Sequence, residues 1–372
     1  MSKKNGKKKV TILDRVERIG NALPHPATIF LILCGVIVVL SAILAASGVS
    51  VTYEGINRTT NVVEEMTVTV NSLLSKEGVQ YLFKSAVSNF TGFAPLGTVL
   101  VALLGVGLAE GTGFISALLK KLVMSTPKRL ITVVVVLARV LSSSASDAGY
   151  EVLIPLGAII FLSVGRHPMA GLAAAFAGVS GGFSANVMVG PTDSLLGGLT
   201  TEGAKLFDPN YVVGMEANWW FLIASTVLIT VIGTFVTEKI VEPRLGAYKG
   251  DATVEENSMT VTKEEKRGLK FAGIAALVIL VGIIALVGPA NGLLRGTDPG
   301  VQGILKSPFM DSLVFIIALY FGLVGIAYGV GAKTVKNDKD VMNLMGKSMA
   351  SMGSYIVLVF FAAQFVAYFS YT

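Results

Sequence analysis

Residues 127–168 constrain the fold most, because the segment is apolar enough to enter a membrane and too polar at its centre to cross one simply. Leu130–Leu141 is an apolar run carrying one charge, Arg139. Ser142, Ser143, Ser144, Ala145, Ser146, Asp147, Ala148 and Gly149 follow, and Tyr150–Val164 is predominantly apolar again. A helix needs ~20 apolar residues to span the hydrocarbon core, so each arm is short. Basic residues flank both ends, Lys128 and Arg129 before the segment and Arg166 after it. Basic flanks mark the cytoplasmic side, and two of them fit a segment that enters and leaves on one face. The reading is a re-entrant hairpin with a serine-rich, acid-bearing tip near mid-membrane. Non-helical backbone at that depth survives only inside protein or along a wet cavity.

The rest of the chain has the composition of a polytopic membrane protein. Of 372 residues, 53% are hydrophobic and 15% charged, against about 25% charged in soluble domains. The net charge of +6 comes largely from Lys3, Lys4, Lys7, Lys8 and Lys9 and from short loops. Bases beside apolar spans orient a chain in the bilayer, so nucleic acid is not expected as a partner. Cys34 is the single cysteine, which leaves no disulfide framework and no transition-metal cluster. The first apolar run is too long for the core of a cleavable signal, and more spans follow it.

Read in order, the chain is expected to divide into a basic cytoplasmic N-terminus (1–26), a first membrane half (27–238), a charged cytoplasmic linker (239–270) and a second membrane half (271–372). The first half holds a span at Ala27–Ser47, a polar external loop at Val49–Phe93, a span at Ala94–Leu119, the hairpin 127–168 and an interrupted helix 169–190. Pro191–Asn218 is acid-rich and external, Trp219 and Trp220 mark the next interface, and Phe221–Val236 returns inward. Phe271–Val287, Asp311–Gly331 and Ser348–Thr372 complete the spans. The alternation of acidic external and basic internal loops closes only if 127–168 re-enters.

An intramembrane carboxylate or hydroxyl cluster must find partners or ions. A broken helix offers amides at one end and carbonyls at the other, the latter suited to Na⁺. Two stretches fit: the tip, with Ser142, Ser143, Ser144, Ser146, Asp147 and Gly149, and the interruption Gly178–Asn186, with Gly181, Gly182 and Asn186. Asp193 follows at a helix start. Asp147 is the leading ion-coupling candidate, with helix capping as its structural alternative. Arg139 is read as snorkelling to the cytoplasmic face, with pairing to a substrate carboxylate as the alternative. His25 and His167, each before a proline, read as loop-closing residues. Gly178-Val-Ser-Gly-Gly182 matches a nucleophile elbow only superficially, since it lacks the preceding strand, and no phosphate-binding loop occurs. An enzyme is not expected.

At three stretches the chain resembles the AbgT family of aminobenzoyl-glutamate transporters: Gly20–Pro26, Ser143–Tyr150 and Gly165–Asn186. The resemblance implies an all-α polytopic fold, an inverted-repeat transporter with re-entrant hairpins and broken helices. It implies a homodimer in the bacterial inner membrane, moving p-aminobenzoyl-glutamate or related folate-breakdown and antimetabolite compounds on a Na⁺ or H⁺ gradient, with Na⁺ placed near Asp147 and no other cofactor. The substrate would be an aromatic amide and dicarboxylate. On that pattern Ser143, Ser144, Asp147, Asn186 and Asp193 fall where the first half of the core contributes polar groups. The family's second half carries its own hairpin, and this chain stops at the helix leading into it, so the second repeat reads as incomplete. The alternative is a truncated, non-transporting subunit that pairs with a full-length homologue.

Overall fold

The structure is a computed structural model describing residues 24–56, 63–142, 154–182, 185–187, 189, 191–205, 207–208, 211–214, 216–250, 261–298, 300, 302–305 and 307–372. Helix α1 (Pro26–Ala46) is apolar throughout and starts on a His25 cap, whose Nδ1 accepts from the Ala27 amide at 3.2 Å, with proline in its first turn. Strands β1 (Ser50–Ile56) and β2 (Val63–Thr69) pair antiparallel from Ser50↔Thr69 to Ile56↔Val63. Helix α2 (Lys76–Thr91), capped by Ser75, precedes α3 (Ala94–Gly111) and α4 (Phe114–Met124). The hairpin arms are α5 (Ile131–Ser142) and α6 (Ile154–Ser163). Then come α7 (Pro168–Gly181), α8 (Pro191–Ala204), α9 (Trp219–Val236), α10 (Lys263–Val287), α11 (Leu313–Ala332), α12 (Asp338–Ala350) and α13 (Gly353–Tyr371).

Among the described residues, six stretches are long and apolar enough to cross a membrane: α1, Lys76–Gly111, Trp219–Leu245, α10, α11 and α13. Their outward side chains are apolar and exposed, as Val36, Phe221, Val278 and Phe315 are. A surface of that composition faces lipid, not water.

Two expectations are corrected. Ala94–Leu119 is not one continuous span, because Gly113 takes φ +87°, a conformation glycine adopts without steric cost. The chain turns there, so α3 and α4 are separate helices. Val49–Phe93 is not a simple loop either. It holds the β1–β2 hairpin and α2, whose polar and apolar positions alternate with helical period.

The chain forms two compact units, residues 1–93 with 354–372, and residues 94–353. In the first, α13 is held to α1 and α2. Gln364 is 3% exposed, accepts from Asn89 Nδ2 at 3.0 Å and donates to the Ala86 carbonyl at 2.8 Å. Tyr81 stacks on Tyr371 at 4.2 Å.

In the second, α11 packs between α3 and α10. Close approach to α3 relies on small residues, with Gly105 against Ala318 and Gly325 against Ala109, as in lipid-embedded helix pairs. Leu269 and Ala272 of α10 meet Val324, Tyr328 and Ala332 of α11. A separate core joins both hairpin arms to α7 through Ile131, Val135, Ile160, Phe161, Ala170 and Ala175.

Candidate functional site

The site is built around the break between α7 and α8. His167 caps α7, its Nδ1 accepting from the Met169 amide at 3.2 Å, and Pro168 opens the helix. Both His-Pro pairs are therefore helix starts. Helicity runs through Gly181 and ends at Gly182, whose amide still donates to the Gly178 carbonyl at 3.1 Å before the chain turns at Ala185. Asn186 and Val187 lie in the non-helical stretch, and α8 begins at Pro191. The interruption expected at 178–186 is present, four residues later than the first glycine suggested, and residues 191–204 form a helix. A helix's last turn leaves carbonyls without intrahelical donors and its first turn leaves amides. The break therefore presents a negative end from α7 and a positive end from α8.

The polar side chains at this break are buried. Asn186 is 3% exposed and Asp193, in the first turn of α8, is 8% exposed. Among the described residues Asn186 Oδ1 has no hydrogen-bond partner. An unpaired buried carbonyl costs about 1–3 kcal/mol, which makes Asn186 Oδ1 a candidate acceptor for a bound group. Trp219 Nε1 donates to the Val187 carbonyl at 2.8 Å and ties the break to the start of α9.

Arm α5 supplies the opposite wall. Val136 and Val140 pack with Ala174 and Ala185, and α7 comes close because it carries glycine where they cross. A Cβ on Gly178 would lie 2.8 Å from Arg139 Cβ, and one on Gly182 2.8 Å from Val140 Cγ2. Arg139 thus sits beside the last turn of α7, where a cation meets the negative helix end. It is 2% exposed, so the expected snorkelling to the cytoplasmic face does not occur. Buried arginine in a membrane segment faces the protein interior, which leaves the alternative reading of Arg139, pairing to a substrate carboxylate, as the one to test.

The base of the hairpin carries a clamp that sequence reasoning also missed. Arg166, in the turn between α6 and α7, donates from Nε and Nη2 to the two carboxylate oxygens of Glu242, both at 2.6 Å. Its Nη1 donates to Thr132 Oγ1 at 2.6 Å, and its guanidinium lies 4.2 Å over the Phe161 ring. Glu238 stands 3.8 Å away on the π-helical turn Thr237–Val241. One side chain therefore joins the start of α5, the end of α6 and the helical turns that follow α9. Thr132, near the start of segment 127–168, and Arg166, near its end, lie side by side. Arg166 signalled only a basic flank because its acidic partner is 76 positions away.

Of the other expected residues, Ser143, Ser144, Ser146, Asp147 and Gly149 lie outside the described residues, and Ser142 ends α5. Gly181, Gly182, Asn186 and Asp193 are gathered at the α7–α8 break.

A many-spanned apolar helical protein with a polar, buried helix break has the architecture in which membrane transporters build their sites. The chain matches the profile of the "AbgT putative transporter family" over residues 11–372 and belongs to that family. It is 41% identical over 357 residues to the p-aminobenzoyl-glutamate transport protein of Escherichia coli (strain K12), a match covering 96% of this chain and 68% of that protein. Two solved structures share the fold. The Alcanivorax borkumensis YdaH transporter, described as having an unusual topology, aligns with TM-score 0.84 and 44% identity over 94% of this chain and 71% of its own. Neisseria gonorrhoeae MtrF, described as illuminating a class of antimetabolite efflux pumps, aligns with TM-score 0.89 and 47% identity over 97% and 72%. The protein is a multi-span membrane transporter of a small molecule and not an enzyme.

Proposed function

We propose that this transporter moves p-aminobenzoyl-glutamate or a related aromatic amide across the bacterial inner membrane, coupled to Na⁺ or H⁺, as a homodimer with its N-terminus in the cytoplasm. The observation carrying the reading is the α7–α8 break, where a buried unsatisfied Asn186 carbonyl and the buried Asp193 carboxylate flank opposed helix ends. Oxygen donors at the carbonyl end of a helix suit a hard monovalent cation, and amides at the other end suit a carboxylate. The 41% identity to a p-aminobenzoyl-glutamate transport protein supports the substrate class.

The test is uptake and efflux of labelled p-aminobenzoyl-glutamate in proteoliposomes under separate Na⁺ and pH gradients. Asp193→Asn is expected to cut gradient-driven flux ~10-fold or more, about 1.4 kcal/mol in barrier, with unchanged insertion. Flux indifferent to both gradients would end the coupling reading, and normal flux in the variant would end the role of Asp193.

A further inference from the structure

Above the break, the second unit holds a cavity of about 740 Å³, within the ~300–1,000 Å³ range of small-molecule sites. It shares a helix face with the candidate site. Asp193, Gly197 and Thr201 recur every four residues along α8, with Lys205 just past its end, and positions four apart on a helix lie on one stripe. Gly197, Thr201 and Lys205 line the cavity. Its wall is built rather than accidental. Thr201 Oγ1 donates to the Gly197 carbonyl at 2.8 Å and accepts from the Val213 amide at 2.9 Å, pinning residues 212–214 onto α8. Gly198 brings α8 onto Pro95 of α3, where a Cβ would lie 2.8 Å from the proline ring.

The hydrogen-bonding capacity of the lining is one-sided. Thr98, Thr201 and Ser307 each spend their hydroxyl hydrogen on a nearby carbonyl, those of Ala94, Gly197 and Ile304. What those oxygens have left is acceptor capacity. Glu216 and Asp311 add carboxylates, and among the described residues neither has an ion-pair partner. The cation of the lining, Lys205, is held by Glu202 at 3.0 Å. Val213, Met310 and Val314 supply apolar wall. The cavity is acceptor-rich, donor-poor and net negative, so it favours a ligand with N–H donors on an apolar ring and disfavours a carboxylate.

We propose that this cavity is an outer subsite that binds the arylamine end of the transported compound, its amine donating to Asp311 and Glu216 while the ring lies against Met310 and Val314. A substrate with an arylamine at one end and carboxylates at the other is thereby oriented, carboxylates away from the rim and toward the α7–α8 break. The subsite rests on the transport reading for the identity of the compound and for its side of the membrane.

The test places cysteine at Met310 in the full chain, whose native Cys34 is buried, and follows labelling by a membrane-impermeant maleimide on right-side-out vesicles. 4-Aminobenzamide is expected to slow labelling by ~3–10-fold, with benzamide and benzoate having little effect. Asp311→Asn and Glu216→Gln together should abolish that protection while leaving the unprotected labelling rate and the helical circular dichroism unchanged. Equal protection by benzamide, or none by 4-aminobenzamide, overturns the arylamine subsite. Labelling only in inside-out vesicles overturns its outer placement, and flux measured separately in the native chain reports on the transport reading itself.

Discussion

Asn186 separates a structural from a functional polar group by the sign of one measurement. A buried amide that caps or bridges loses stability when replaced by a hydrocarbon, whereas an unsatisfied one gains it. Because Oδ1 of Asn186 has no partner among the described residues, Asn186→Leu is expected to hold or raise stability by about 1 kcal/mol while transport falls to background. Thermal unfolding in detergent alongside flux checks both halves, and a loss of stability would make Asn186 a structural residue. The sequence exposed Asn186 and Gly182 because an amide and glycines inside an apolar run break its pattern. It misplaced Arg139, since a lone arginine on an apolar arm reads the same whether it reaches the membrane surface or turns inward. Only the packing of α5 on α7 at Gly178 settles which.

At the scale of elements, the Arg166 clamp joins three helical segments, and its removal should loosen the hairpin base rather than the whole fold. Bidentate charged hydrogen bonds are the strong kind, yet both partners are about one-fifth exposed. Arg166→Gln is therefore expected to cost about 1–3 kcal/mol. The charge-reversed pair Arg166→Glu with Glu242→Arg should recover part of that loss, and no recovery would mean that Thr132 and the Phe161 ring carry the interaction. Spans α9, α10, α11 and α13 were legible from apolar length alone. The division of 94–124 into α3 and α4 was not, because Gly111-Thr112-Gly113 reads equally well as small-residue packing inside one helix.

For the molecule as a whole, the orientation rests on charge. Lys333, Lys336 and Lys339 follow α11, and clustered lysines stay on the cytoplasmic side. Cysteine placed at Lys336 should therefore react with an impermeant reagent only in inside-out vesicles, and cysteine at Leu293, an exposed position beyond α10, only in right-side-out ones. The reverse pattern, Lys336 labelled only in right-side-out vesicles and Leu293 only in inside-out ones, would require the 127–168 segment to cross fully.

The sequence by itself determined that the chain lives in a membrane, where its long spans lie and where one helix breaks, because each follows from the local density of apolar, charged and glycine residues. The tertiary structure decided which buried groups face one another. Glu242 comes to Arg166 across 76 positions, and Thr98, Thr201 and Ser307 come to one cavity from three separate parts of the chain. Such encounters are set by helix packing, which depends on shape at glycine contacts and leaves no periodic mark in any single segment.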